Sequence, residues 1–168
     1  MSYFPYNADL AGAIVAKFVT LAGGAMDKIK LVKLMYLLDR TAIIEEGYAI
    51  VGGKYFSLPY GPVISEFLDD VDRGRWDDVR LNGTDVTLVG TEHHAELLSE
   101  WVEELAERVY AQYGRMPSFD LVDILHRECK EWEDPAGSSK LISISSIPGC
   151  EGEEVEAYAR ELEMMTHP

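Results

Sequence analysis

The sequence predicts a mainly α-helical protein: a compact helical bundle around a central hydrophobic helix, with a small β-hairpin or sheet element. Apolar residues recur at helical spacing in six separate segments. The segment at about residues 28–44 is apolar around much of its circumference, as expected for a helix that is buried on several sides. Two short alternating segments on either side of Asn82-Gly83 are typical of a β-hairpin.

The N-terminal segment is predicted to form the first helix. Leu10, Ile14, Phe18 and Leu21 fall on one helical stripe. Gly23-Gly24 follows, and glycine is the usual residue at a helix C-terminus. We therefore expect the first helix to end just before this pair.

The second helix is predicted to begin after Asp27, whose side chain can cap it, and to be broken at Gly47. So much of its circumference is apolar that it should lie at the centre of the bundle. Its remaining polar strip consists of Lys30, Lys33 and Arg40, which project from one side of the helix. This strip either pairs with the chain's own acidic residues, or contacts an acidic partner, or forms an internal ladder that positions the next turn.

A rigid turn is predicted after the second helix. Residues 54–58 form a short extended segment that ends in Pro59-Tyr60-Gly61-Pro62. Pro62 is predicted to occupy the first turn of a third helix, which continues to Gly74. Four aromatic residues surround the turn, and the sequence leaves open whether they belong to the core or form an exposed anchor for a protein partner. They are Tyr55, Phe56, Tyr60 and Trp76.

The rest of the chain is predicted to contain the hairpin and three further helices. The helices are expected at residues 95–113, 118–132 and 153–165, and the apolar run at 141–144 is either a strand or buried coil. The length is that of one domain, so we expect a single domain over residues 1–168. Its core should extend from about residue 7 to 135, followed by a C-terminal extension at 136–168.

The charge of the chain argues against nucleic acid as a partner. It carries 15 basic and 30 acidic residues, a net charge of -15, which repels a polyanion. The excess is uneven, because residues 1–91 hold 9 basic and 12 acidic groups whereas residues 92–168 hold 6 and 18. The apolar stretches are shorter than the about 20 residues that a membrane span needs, and two cysteines are too few for a disulfide scaffold. We expect a cytoplasmic protein without a nucleic-acid or membrane partner.

Few residues are candidates for metal binding or catalysis. His126 and Cys129 lie one helical turn apart, which allows a weakly supported Cys-His nucleophile, although a packed pair at the helix edge is the simpler interpretation. His93 and His94 precede a helix and are expected to be solvated. No phosphate-binding loop or nucleophile elbow is present, so we predict no cofactor, no metal site and no enzymatic activity. The candidate metal ligands considered were His93, His94, His126, Cys129, Cys150 and His167.

Three segments resemble the SocA-like (Panacea) antitoxin family. Residues 30–36, Lys-Leu-Val-Lys-Leu-Met-Tyr, match a helix of the form K-L-x-K-L-x-Y. Residues 60–63, Tyr-Gly-Pro-Val, match the turn that leads into the next helix of that family. Residues 121–132 resemble the family's leucine-rich helix, which ends in Thr-His and is followed by Pro-Trp, with Leu125 and Glu131 here in place of the threonine and the proline.

This resemblance covers about residues 10–132 and implies an antitoxin of a bacterial or prophage toxin-antitoxin system that neutralises a cognate protein toxin by direct binding. It also allows an adaptor that delivers a toxin to an ATP-dependent protease of the ClpXP type. A small enzyme that uses His126 and Cys129 is the third hypothesis. On the first hypothesis, the residues predicted to form or support the toxin-binding face are Lys30, Lys33, Tyr36, Arg40, Tyr60, Gly61 and Pro62.

Overall fold

Helices form most of the computed structural model, which describes residues 1–166. The helices of this part of the chain are α1 (Ala8–Leu21), α2 (Lys28–Glu46), α3 (Ser65–Arg73), α4 (Glu100–Val109), α5 (Ser118–Glu128) and α6 (Glu154–Thr166). The strands are β1 (Ala25–Asp27), β2 (Tyr55–Leu58), β3 (Gly61–Ile64), β4 (Val79–Asn82), β5 (Asp85–Leu88) and β6 (Lys140–Ile142). The predicted mainly helical fold with a small β element is confirmed.

Helix α2 occupies the centre of the molecule, as the sequence predicted. Every residue from 31 to 39 is buried, and the helix packs against α4, α5 and β3. The Asp27 carboxylate accepts a hydrogen bond from the Lys30 N–H at 3.4 Å, and Gly47 ends the helix in the left-handed conformation. Both helix ends therefore lie where local sequence signals predict them.

Two antiparallel three-stranded sheets lie beside the helices, with strand orders β1-β5-β4 and β3-β2-β6. The predicted hairpin is confirmed as β4 and β5, with Asn82 opposite Asp85. The first strand of that sheet, β1, was not predicted. Residues 140–142 form β6, whereas Ile144 begins a short 3₁₀ turn, so the apolar run at 141–144 is divided between a strand and a turn.

The prediction that Pro62 begins the third helix is wrong. Pro62 lies in β3 opposite Ser57, and α3 begins only at Ser65. Because β3 is an edge strand, the missing N–H of Pro62 breaks no hydrogen bond within the sheet. The proline therefore stiffens a strand instead of a helix.

Two predicted helices are too long. The segment at 95–113 contains a 3₁₀ turn before α4, because the Ser99 hydroxyl accepts a hydrogen bond from the Val102 N–H at 3.2 Å and starts the helix at Glu100. The helix predicted to reach residue 132 ends at Glu128, where the backbone turns into an extended conformation. None of the helices in residues 1–166 has the length and apolar character needed to cross a membrane.

The hydrophobic core includes residues near both ends of the described chain. Tyr3 and Phe4 precede residue 7 and are 5% and 4% exposed, and Ala159 of α6 is also buried in the same core. The backbone N–H of Tyr3 donates to the Glu163 carboxylate at 3.0 Å, so α6 packs against the N-terminal segment. The division into a core and an extension stays a prediction.

Candidate functional site

The four predicted partner-contact residues of α2 differ in exposure. Lys30 is partly exposed on the first turn of the helix. Lys33 and Tyr36 are 3% and 0% exposed, and the side chain of Arg40 is 17% exposed. Tyr36 therefore lies beneath the surface, where it can support a binding face but is not itself part of it, and Lys33 is almost completely buried.

A buried polar cluster joins α2 to the segment after α5. The Tyr36 hydroxyl donates to Glu131 Oε1 at 2.8 Å, and Arg40 Nε donates to the same oxygen at 2.6 Å. The Glu131 side chain is 0% exposed. Burial, followed by the nearby Glu131 carboxylate, raises the pKa of Tyr36 well above its usual value, so the phenol stays neutral and donates. Arg40 thus pairs with an acidic residue of its own chain, and the sequence did not identify Glu131 as that residue.

The turn between β2 and β3 depends on a glycine backbone. Leu58 lies opposite Gly61, so Pro59 and Tyr60 form the tip of the hairpin. Gly61 has a φ of +109°, which other residues rarely adopt. A β-carbon there would lie 3.6 Å from Lys33 Nζ, an ordinary contact distance, so conformation and not space requires the glycine.

Contacts from α2 and from the segment after α5 hold this hairpin. Lys33 Nζ donates to the carbonyl oxygen of Pro62 at 3.3 Å. Trp132 Nε1 donates to the carbonyl oxygen of Leu58 at 2.8 Å, while the Trp132 ring stacks on the His126 imidazole with centroids 3.9 Å apart. The three motifs that resemble the antitoxin family thus meet around one turn.

The hairpin presents an exposed aromatic pair. Tyr60 and Phe119 are 57% and 59% exposed and pack edge to face with ring centroids 5.9 Å apart. Phe119 is held near the start of α2 because the neighbouring Ser118 hydroxyl donates to the Asp27 carboxylate at 2.9 Å. Of the four aromatic residues near the predicted turn, Tyr60 is the exposed one, since Tyr55 is buried and Phe56 and Trp76 are partly buried.

An apolar groove of about 260 Å³ adjoins this pair, between α2, the hairpin and α3. We call the groove and the aromatic pair together the turn surface. Lys28 and Lys33 are the charged residues in the groove lining, and Lys28 pairs with Asp72. The turn surface consists of Tyr60 and Phe119 with the apolar groove residues Ile29, Val32, Leu58, Pro59, Val63 and Leu68.

Lys33 should make the stability of the protein depend on pH. Burial lowers the pKa of Lys33 to about 7, because the charged ammonium loses its hydration. The unfolded chain keeps this proton up to about pH 10.4. Between these values the unfolded state binds more protons, so the free energy of unfolding should rise with pH. The rise should reach about 2 kcal/mol between pH 7 and pH 9.

Urea unfolding of the wild type and Lys33→Met at pH 7, 8 and 9 measures this rise. The methionine variant keeps the volume but has no titrating group, so the difference between the two proteins isolates Lys33. Burial raises the pKa of Cys129 to about 12, which opposes the rise from about pH 8 upward, where an unfolded thiol begins to ionise. The rise of about 2 kcal/mol is therefore the contribution of Lys33 and is read from the difference between the two proteins. Equal pH slopes for the two proteins would contradict the prediction.

The candidate catalytic pair is poorly arranged for nucleophilic chemistry. Cys129 is 1% exposed, and the raised pKa of its thiol disfavours the thiolate that a nucleophile needs. The His126 ring is stacked on Trp132, and its Nε2 atom is buried without a hydrogen-bond partner in the described chain. The pair therefore lies in the packing around the turn.

The other metal-ligand candidates are dispersed. No group of three or more potential ligands occurs within residues 1–166, and His167 lies outside the described residues. The expectation that His93 is solvated is wrong, because its Nδ1 atom lies 2.9 Å from Asp78 Oδ2 and its side chain is 16% exposed. His94 is 67% exposed, as expected. Cys150 is buried as a free thiol.

Asp39 holds the segment that leads into β2, and the sequence analysis did not identify it. Its side chain is 0% exposed and accepts hydrogen bonds from the backbone N–H groups of Ile50, Val51 and Gly52 at 2.8–3.1 Å. The Tyr55 hydroxyl donates a fourth at 2.9 Å. An acidic residue within an otherwise apolar stretch of α2 was the available signal.

Comparison with known proteins identifies the family. The family model described as antitoxin SocA-like, Panacea domain, matches residues 31–133, which is more than half of the chain. No curated protein and no solved structure matches it. The matched region contains the buried cluster of α2, the β2–β3 hairpin and the segment that ends in Trp132. The chain therefore belongs to the SocA-like antitoxin family with the Panacea domain.

Proposed function

We propose that this protein neutralises a cognate protein toxin in the bacterial cytoplasm by direct binding through the turn surface. The observation that carries the proposal is the exposed Tyr60–Phe119 pair beside an apolar groove, within the region that matches the antitoxin family. Exposure of large aromatic side chains to water is unfavourable, so their burial by a partner stabilises the complex. Such residues are common among those that contribute most to the binding free energy of protein interfaces.

The turn surface is supported before any partner arrives. Lys33, Asp39 and Trp132 hold the hairpin or the segment before it by hydrogen bonds to backbone groups. A surface that is already ordered loses less conformational entropy on binding, which favours affinity. Of the predicted partner residues, Tyr60 would supply a contact, and Lys30 is partly exposed on the first turn of α2. Tyr36, Arg40, Gly61 and Pro62 would act by support, whereas Lys33 lines the groove itself.

The acidic C-terminal half suits a basic partner. Helix α4 exposes Glu100, Glu104 and Glu107, and residues 92–168 contain 18 acidic against 6 basic groups. Toxins that act on nucleotides or RNA are often basic around their active sites. Opposite charge would accelerate encounter and orient the two proteins before the turn surface engages.

A double variant tests the proposal. Tyr60→Ala combined with Phe119→Ala should weaken binding of the toxin encoded by the neighbouring gene roughly 100-fold, because both anchor side chains are lost. Isothermal titration with a catalytically inactive toxin measures the affinity, and co-expression with the active toxin measures protection of growth. Fold stability should change little, since both side chains are more than half exposed.

The matched control is Tyr48→Ala. Tyr48 is 39% exposed and packs against Trp101 at a centroid distance of 5.5 Å, beyond the opposite end of α2. This variant should bind and protect like the wild type. A neighbour that is harmless when expressed alone, or that stays lethal beside the wild-type protein, would refute the antitoxin proposal. A toxin half-life that shortens in the presence of this protein and an ATP-dependent protease would favour the adaptor hypothesis over simple occlusion.

A further inference from the structure

The apolar groove of the turn surface contains one buried ammonium group. Lys33 contributes to the groove lining and is 3% exposed. Its Nζ atom has one hydrogen bond, a 3.3 Å contact to the carbonyl oxygen of Pro62, although an ammonium has three N–H donors. Lys33 takes part in none of the lysine ion pairs of residues 1–166. Burial lowers the pKa of Lys33 to about 7, so near neutral pH the amine is only partly charged, and an anionic acceptor would stabilise its ammonium form.

A second unpaired polar atom lies near this ammonium. His126 Nε2 is buried and has no hydrogen-bond partner within residues 1–166. The adjacent ring atom, Cδ2, lies 3.8 Å from the position that a β-carbon on Gly61 would occupy, and Lys33 Nζ lies 3.6 Å from the same point. The side chains of Lys33 and His126 therefore both lie beside the space that a side chain at position 61 would occupy.

We infer that the groove receives an aspartate or glutamate side chain of the toxin, carried on an apolar segment, with the Lys33 ammonium as the receptor of its carboxylate. This inference rests on the proposed function and specifies the chemistry of the partner. A carboxylate would accept the free N–H groups of Lys33 in charge-assisted hydrogen bonds, and the apolar walls would exclude water from them. Ile29, Leu58 and Val63 would contact the apolar residues on either side of the carboxylate.

The lining favours a protein carboxylate over other anionic occupants. A second copy of this chain carries a net charge of -15 and would be repelled by the first. The groove lining contains two lysines, and Lys28 already pairs with Asp72, whereas phosphate sites usually combine several free cationic or backbone donors. The neighbouring Tyr60–Phe119 pair adds the aromatic area that is typical of protein interfaces.

Titration of the inactive toxin into the wild type, Lys33→Met and the control Lys54→Met tests the inference. Lys33→Met should weaken binding about 30-fold or more, because the toxin carboxylate would be buried without its partner. Lys54 is exposed and does not line this groove, so Lys54→Met should bind like the wild type. Melting curves should show Lys33→Met to be at least as stable as the wild type, because an apolar residue of similar volume replaces a buried charge.

Carbodiimide cross-linking supplies the direct readout. This reagent joins an amine to a contacting carboxylate, so mass spectrometry of the complex should find Lys33 linked to one aspartate or glutamate of the toxin. Changing that residue to its amide should weaken the wild type but have little further effect on Lys33→Met. Unchanged affinity of Lys33→Met, or a Lys33 cross-link only between copies of this chain, would overturn the inference and leave the proposed function intact. Absence of toxin binding by the wild type would instead refute the proposed function.

Discussion

Replacing Glu131 by alanine is expected to lower the free energy of unfolding by about 3–5 kcal/mol. The Glu131 carboxylate accepts from both Arg40 Nε and the buried Tyr36 hydroxyl. Without it, a mostly buried guanidinium and a fully buried hydroxyl lose their shared acceptor, which costs far more than an exposed ion pair contributes. Differential scanning calorimetry should show a melting temperature roughly 10 °C lower.

The control for this variant is Glu45→Ala. Glu45 pairs with Arg108 Nη2 at 2.7 Å, a distance close to that of the buried pair, but the two side chains are 40% and 56% exposed. Solvent weakens that pair, so we expect a loss of at most about 0.5 kcal/mol. A Glu131→Ala variant as stable as Glu45→Ala would contradict the view that this cluster fixes the segment after α5.

The parts of the fold that the sequence predicted correctly depend on local signals. Helix α2 begins at the Asp27 cap and ends at Gly47, and the β4–β5 hairpin follows from Asn82-Gly83. Each of these signals acts within a few residues of the element it defines. Strand β3 was mistaken for the start of a helix although its partner, β2, is separated from it by only Pro59 and Tyr60. Pro62 suits a first helical turn and an edge strand equally well.

In the candidate site, too, the sequence identified the features that depend on consecutive residues and missed those that depend on distant ones. The Tyr-Gly-Pro turn could be recognised from the sequence because its residues are consecutive. Phe119 could not, because its contact with Tyr60 and the neighbouring Ser118–Asp27 hydrogen bond, which joins residues 91 positions apart, exist only in the folded chain. Glu131 is likewise 91 residues from Arg40. The folded structure distinguishes the alternatives for the basic strip of α2. Lys33 lies in the lining of a groove, and Arg40 forms an ion pair with Glu131.

Replacing Asp39 by asparagine is expected to lower the free energy of unfolding by about 3 kcal/mol. Burial raises the pKa of Asp39 to about 6, opposing the hydrogen bonds that lower it, so at pH 7.5 the carboxylate is ionised and accepts all four. An asparagine side chain has nearly the same shape but presents an N–H₂ group to atoms that also donate. At least one buried donor would then lack an acceptor.

The Asp39→Asn substitution should loosen the segment before β2 in addition to lowering the stability of the whole protein. Three of the four donors are the backbone N–H groups of Ile50, Val51 and Gly52, which lead into β2 and so into the hairpin that presents Tyr60. Hydrogen exchange of these three amides should accelerate in Asp39→Asn beyond the change caused by global destabilisation.

Asp77→Asn is the matched control for this change. It makes the same substitution at an exposed position, so it should alter stability by less than about 0.5 kcal/mol and leave the exchange of residues 50–52 unchanged. Unaltered exchange in Asp39→Asn would mean that the loop before β2 is held by other contacts. The hairpin would then be held as in the wild type. Any loss of toxin binding by Asp39→Asn would in that case result from lower overall stability and not from a change in the hairpin.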